Sequence, residues 1–289
     1  MLGSNLEVGD TIDAVCLGLL CDKLGLDTIS AGAVLSFACE AVERGVLDAD
    51  VRFGDAKSLS SLLLDIAHRY GAGDLLAEGV RAVAEKLGGD APNFAIHVKG
   101  LELPAWGPRG APGMGLAYMT ADRGGCHQRA FPILYEVGGE TWKGQTYERL
   151  ALEGKAQLLA EVQNKLAGLD TMTTCDFARY GITEEQYLDL FAAATGRRME
   201  LDELYQLGER IWNLTRLFNL KAGMVARDED LPGRFKSEPL ADGPAAGHFF
   251  TEADIESLRA DYYAVRGWDL DGSPKPEKLA ALGVEYPGG

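Results

Sequence analysis

A mainly α protein of two helical domains, about 1–102 and 103–289, is predicted by three features of the sequence. Apolar residues recur at three- and four-residue spacing in run after run. These runs open on Asp, Thr or Pro and close on Gly, the usual helix punctuation. A single short apolar run, Phe94-Ala95-Ile96-His97-Val98, reads as a strand. The length of 289 residues suits one large or two ordinary domains at roughly 150 residues each. With 46% hydrophobic and 25% charged residues, the composition is that of a globular chain, which sets aside disordered and fibrous classes.

In the first hundred residues, Ile12, Val15, Cys16, Leu19 and Leu20 recur at helical spacing behind Asp10, so a helix is expected from Thr11 to near Gly25. Asp27 is placed to cap a second helix that runs through Arg44 to a stop at Gly45. Two more are expected over Ser58 to Arg69 and Leu75 to Leu87, closing at Gly71 and Gly88. Between Lys99 and Gly125 the composition shifts to Pro104, Pro108, Pro112 and seven glycines, which is loop chemistry and the expected domain boundary. Helical patterning returns from about Tyr147 to Leu166. It resumes after Thr183-Glu184-Glu185-Gln186, which has capping-box form. Glu200 to Ala222 carries a long amphipathic stripe of Leu201, Leu204, Leu207, Ile211, Leu214, Leu217 and Phe218. A helix is expected from Thr251 to near Gly267, and Pro276 suits the first position of a last one.

Charge narrows the function. Twenty-eight basic against 44 acidic side chains leave a net −16, which repels phosphate backbones and anionic lipid, so nucleic-acid and membrane partners are not expected. Five scattered cysteines, Cys16, Cys21, Cys39, Cys126 and Cys175, do not form a disulfide framework and point to a reducing, cytoplasmic setting. The first twenty residues lack a basic segment and carry Glu7, Asp10 and Asp13, so neither a signal peptide nor a membrane span is expected there. Thirty-six glycines imply many tight turns or close approaches of backbone to a neighbour or ligand.

Three segments can carry chemistry. Asp22-Lys23-Leu24-Gly25-Leu26-Asp27 sets a glycine turn between two helices and flanks it with carboxylates. Its plain reading is a helix stop followed by an N-cap. The same geometry lets a carboxylate accept two parallel N–H bonds from the aminopyrimidinone edge of a pterin, beside the free amides of a helix start. Asp170-Thr171-Met172-Thr173-Thr174-Cys175 repeats that carboxylate-first hexad and ends in a cysteine, either a small buried hydrophobe or one thiolate of an iron–sulfur cluster. Arg123-Gly124-Gly125-Cys126-His127-Gln128-Arg129 places His127 and two arginines in a glycine-rich loop. There a histidine either bonds a backbone carbonyl or exchanges protons, and the arginines suit phosphate or acid groups. A Cys126–His127 thiol nucleophile is disfavoured, because sequence neighbours seldom converge. His68, His97 and His248 stand alone and are read as structural.

Taken together, DKLGLD (22–27), GMGLAYMTADRGGCHQRA (113–130), DTMTTCDFARYG (170–181), IWNLTRLFNLKAGMVARDEDLPGRF (211–235) and YYAVRGWDLDGSPKPEKLAALGVE (262–285) resemble the tungsten-containing aldehyde ferredoxin oxidoreductase family. The likeness runs in family order over nearly the whole chain and covers the family's second and third domains, without its N-terminal β-rich domain. It implies an enzyme that oxidises small aldehydes to carboxylic acids at a tungsten or molybdenum bis-pterin, with electrons passing through a 4Fe-4S cluster to ferredoxin. It further implies that Asp22, Gly25, Leu26 and Asp27 face one pterin and that Asp170, Thr174 and Cys175 face the other. Cys175 would also ligate the cluster, His127 would transfer protons near the metal, and Arg129 would contact pterin or phosphate. Thr173-Thr174 departs from the family's usual Gly-Leu. The family's other three cluster cysteines and its acidic residue near the metal have no counterpart here, so a companion domain or subunit is expected, as is self-association. A relative of the benzoyl-CoA reductase type is the alternative enzyme. A cofactor-free structural partner of a separate N-terminal half is the alternative of another class.

Overall fold

The computed structural model describes residues 1–285; the last four residues of the expected second domain, 286–289, lie outside them. The fold is mainly α, as expected. Its helices are α1 (Thr11–Leu24), α2 (Thr28–Glu43), α3 (Ala56–His68), α4 (Ala72–Leu76), α5 (Val80–Leu87), α6 (Ala91–Phe94), α7 (Pro112–Thr120), α8 (Ile133–Glu136), α9 (Lys155–Asp170), α10 (Glu184–Thr195), α11 (Leu201–Lys221), α12 (Gly233–Ser237), α13 (Glu252–Arg266) and α14 (Pro276–Ala281). The strands among the described residues are β1 (His97–Val98) and β2 (Leu101–Glu102). The chain divides into two compact units, one of Met1–Arg109, Arg123–His127 and Asp230–Thr251, the other of Gly110–Asp122, Gln128–Glu229 and the residues from Glu252 onward.

In the first unit, three helix starts follow one rule. The carboxylates of Asp10, Asp27 and Asp55 each accept two main-chain N–H bonds from the first turn that follows, filling orphan donors at the starts of α1, α2 and α3. Leu17, Leu35, Phe37, Leu59, Leu63, Val83 and Phe94 build the core on which these helices close. The expected helix over Leu75–Leu87 is two helices, because Gly79 at φ +83° turns the chain between α4 and α5. The expected strand begins late, at His97, since Pro92 and Phe94 sit in the short α6. Lys99 and Gly100, both at positive φ, make the two-residue turn that pairs His97 with Glu102 and Val98 with Leu101.

In the second unit, α9 and α11 approach so closely that a Cβ on Gly168 would lie 2.6 Å from the Leu204 carbonyl oxygen, and one on Gly208 1.7 Å from that of Asn164. The stripe expected on α11 is only partly the buried one. Leu204, Gly208, Trp212 and Arg216 face inward at four-residue steps, whereas Leu214 and Phe218 are exposed. Arg216 reaches the interior because Glu229 accepts from it at 2.7 Å and Tyr263 at 3.0 Å, so the buried charge is paired. The stretch expected as loop contains α7, every residue of which is buried. Pro112 serves as a helix start, and the carboxylate of Glu136, itself paired with buried Lys155 at 2.8 Å, accepts from the Gly113 and Met114 amides. A Cβ on Gly113 would sit 2.8 Å from that carboxylate, so a residue that reads as a breaker is required by packing. The helix expected from Tyr147 starts at Lys155, after Gly154. The capping box at Thr183, the helix ending before Gly267 and Pro276 at a helix start occur as expected.

Candidate functional site

The two hexads share a backbone path. In the first, Asp22 lies in the last turn of α1, Gly25 follows at φ +70° with its N–H on the Asp22 carbonyl, and Asp27 is an extended N-cap for α2. In the second, Asp170 is the last residue of α9, Thr173 follows at φ +57° with its N–H on the Asp170 carbonyl, and Cys175 is an extended N-cap for a 3-10 turn over Asp176–Tyr180. Each is therefore a helix end, a left-handed residue three positions after a carboxylate, and a new helical start two positions later. A β-branched residue seldom adopts that left-handed conformation, so Thr173 holds a strained position where Gly25 costs little.

The carboxylates differ in their surroundings. The Asp22 side chain is exposed, and its carboxylate has no hydrogen-bond or ion-pair partner among the described residues. Asp27 spends Oδ1 on the amides of Ile29 and Ser30, the plain capping role. Beside it opens a hollow of about 260 Å³, lined by Leu26, Asp27, Ser30, Gly79, Gly100 and Glu102. Glu102, unremarked in the sequence, is buried and accepts from the Val80 amide and the Ser30 hydroxyl, both at 2.9 Å. Its signal was a lone carboxylate between Leu101 and Leu103.

Arg129 and Asp170, two expected site residues, do meet: the guanidinium donates to Asp170 at 3.2 Å and to Asp122 at 3.1 Å. Burial pushes the Asp170 carboxyl up from its ordinary range; Arg129 pulls it down, and Asp176 and Asp122 push it up further. Asp122 was not anticipated, although it stands seven positions from Arg129 in the same glycine-rich segment. The cavity beside the trio is about 20 Å³, room for a water and no more.

The loop carrying His127 is held on the hairpin of the first unit. The Gly125 amide donates to Val98 at 3.1 Å, and a Cβ on Gly124 or Gly125 would fall 2.8 Å from the Val98 oxygen or 2.1 Å from the Leu103 side chain. Cys126 is buried and takes an Arg123 N–H at 3.1 Å, while His127 is half-buried. His97 and His248 each keep a buried, unbonded Nδ1, and burial holds His97 below its ordinary range.

Whether cofactors suit these residues follows from the donor sets. The exposed Asp22 carboxylate, the Oδ2 of Asp27 and the Oδ1 of Asp170 have no hydrogen-bond partner among the described residues, so acceptors of the kind that the N–H edge of a pterin needs are present. A four-iron cluster does not fit this chain alone. Cys175 is a single exposed thiol, and among the described residues no three His, Cys, Asp or Glu side chains gather as a metal site. All five cysteines are free, and no helix among the described residues is long and apolar enough to cross a membrane.

The chain resembles known proteins over nearly its whole length. The chain is 40% identical over 291 residues to the tungsten-containing aldehyde ferredoxin oxidoreductase of Pyrococcus furiosus and 39% identical to that of Thermococcus kodakarensis, covering 98% of this chain and 47% of each relative. It is 32% identical over 299 residues to an aliphatic sulfonate oxidoreductase, WOR-like subunit, of Pyrococcus furiosus, covering 98% of this chain and 44% of that protein. The chain thus spans about half the length of these relatives. In fold it is similar to the active-site complex BamBC of benzoyl coenzyme A reductase, with a TM-score of 0.67 and 21% identity over 94% of this chain and 46% of that one. A family model described as aldehyde ferredoxin oxidoreductase, domains 2 and 3, matches residues 1–284, and the chain belongs to that family.

Proposed function

We propose that this chain forms part of a tungsten or molybdenum pterin oxidoreductase that oxidises aldehydes to carboxylic acids, in the cytoplasm, with ferredoxin as electron acceptor. The observation that carries the reading is the pair of hexads on one backbone path, each ending a helix with a carboxylate and opening the next with an N-cap. The pterin-bound metal supplies the redox chemistry when bound. This chain's residues supply placement and protons. Asp22 and Asp170 would accept N–H groups of the pterin rings, the turns through Gly25-Leu26 and Thr173-Thr174 would place those carboxylates, and Arg129 orients Asp170. Converting an aldehyde and water to an acid releases two electrons and two protons, and an imidazole nitrogen of His127 takes one of those protons. Cys175 would be one ligand of a 4Fe-4S cluster whose other thiolates come from a companion region.

The companion region covers the outward row of α1, where Ile12, Val15 and Leu19 are 72%, 54% and 52% exposed. The WOR-like relative supports reading the substrate broadly, and a benzoyl-CoA reductase type of substrate is the second enzymatic reading. Elemental analysis of the purified chain for tungsten, molybdenum and iron, repeated on its complex with a companion region, tests the proposal. Metal in the complex together with aldehyde-dependent ferredoxin reduction is expected. A complex that forms without metal would leave a structural partner in place of an enzyme.

A further inference from the structure

The largest cavity described in the first unit lies away from the hexads. It measures about 440 Å³, within the range of small-molecule sites, and its walls include Phe37, Phe94, Ile96, Leu103 and Phe235. Phe37 and Phe94 stack at 5.1 Å between ring centres and form a flat apolar wall. Three charged side chains line the same space, Glu40, Arg109 and Arg234, in a protein whose overall charge is −16. Arg234 is committed: it donates to Glu40 at 2.8 Å and is ion-paired with Glu238 at 3.0 Å. Arg109 is not. It is half-buried, donates one N–H to the Glu238 carbonyl oxygen, lies 5.4 Å from the centre of the Phe235 ring, and makes no close ion pair with a carboxylate among the described residues, although the charge of Glu238 acts on it. Burial, with the nearby Arg234 charge, lowers its proton affinity more than the Glu238 charge raises it.

We infer that this cavity binds a small monocarboxylate with an apolar or aromatic body, Arg109 holding the carboxylate and the phenylalanine wall holding the body. A guanidinium matches a carboxylate with two parallel N–H bonds, and Arg109 has donors left for them. One uncommitted positive charge beside Glu40 favours a monoanion over a phosphate, because a second negative charge would face that carboxylate. The inference is independent of the aldehyde-oxidation reading, since no hexad residue lines the cavity.

Calorimetric titration of the whole chain with phenylacetate tests it, with phenylacetamide and inorganic phosphate as comparisons. Saturable binding of the acid is expected, with the amide at least about tenfold weaker because it cannot accept the charge-assisted pair. Arg109→Met, checked for an unchanged helical circular dichroism spectrum, should lose the acid by a similar factor and leave weak amide binding unaltered. Equal binding of acid and amide to the unmodified chain, no saturable binding of the acid, or phosphate binding as tightly as the acid would each overturn the inference. The comparison on the unmodified chain decides it even if the variant folds poorly.

Discussion

Single residues carry the likeness between the two hexads, and they also show where it is under tension. Gly25 and Thr173 occupy the same left-handed place, yet only one of them is glycine. Gly25→Thr should therefore cost about 1–2 kcal/mol in denaturant unfolding, while Thr173→Gly should be neutral or stabilise by up to about 1 kcal/mol, its relief of strain partly offset by the freer unfolded chain. Equal losses in both variants would refute a shared backbone role. Cysteine chemistry divides as sharply. Burial pushes the Cys39 thiol up to about 12 and raises that of Cys21, and Cys126 is buried, whereas Cys16 and Cys175 are exposed. Iodoacetamide on the native chain should label those two and spare the other three, as peptide mass mapping would show. Glu40 gives a pH signature. Burial raises its carboxyl, but hydrogen bonds from Arg234 and Arg44 outweigh this and hold it below its ordinary 4.5. The stability it contributes is present above that pH and is lost as acidification proceeds through the lower folded value. Glu40→Gln should then lower the melting temperature at pH 7 and converge with the parent as the pH falls through that lower folded value, in thermal scans from neutral to acid.

At the scale of elements, most helices were legible because their ends are local chemistry. The Asp10 and Asp27 caps, the Thr183 box and Pro276 act within one turn, and each helix they announce is present. Faces and buried elements were not legible, because they depend on distant partners. Nothing near Pro112 says that Glu136 will cap α7 and Lys155 will pair with that carboxylate from positions far along the chain. The α11 stripe misled for the same reason: a buried Arg216 counts as outward in any hydropathy pattern, yet Glu229 and Tyr263 make it an inner residue. The hexads were legible as spacing. The Arg129 bridge between Asp122 and Asp170 was not, since one of its partners lies 41 positions away. Glycine again separates local from distant causes. Gly18, in α1, has no neighbour near an added Cβ, so Gly18→Ala should stabilise by about 0.5–1 kcal/mol through helix propensity. Gly208→Ala must push α11 off α9 and should destabilise by about 1–3 kcal/mol, with chemical denaturation separating the two signs.

For the whole molecule, the decisive feature is an apolar row facing water. The α1 helix buries Leu17 and Cys21 on the core and turns Ile12, Val15, Cys16 and Leu19 outward, although these are the residues whose spacing announced the helix. Such a row on the helix that ends in DKLGLD suits coverage by the companion region that the proposed enzyme needs, and contiguous exposed apolar surface normally marks an interaction site. A second copy of this chain is a poorer occupant, because two bodies of charge −16 repel, most strongly at low salt. Val15→Glu combined with Leu19→Glu should leave folding intact, since both positions are already exposed, and should abolish complex formation with the companion region. Light scattering on mixtures of the two, at low and at moderate salt, reads the outcome directly. A complex whose mass and affinity ignore the double substitution would mean that the row serves another surface, and the companion would then have to dock elsewhere on the chain.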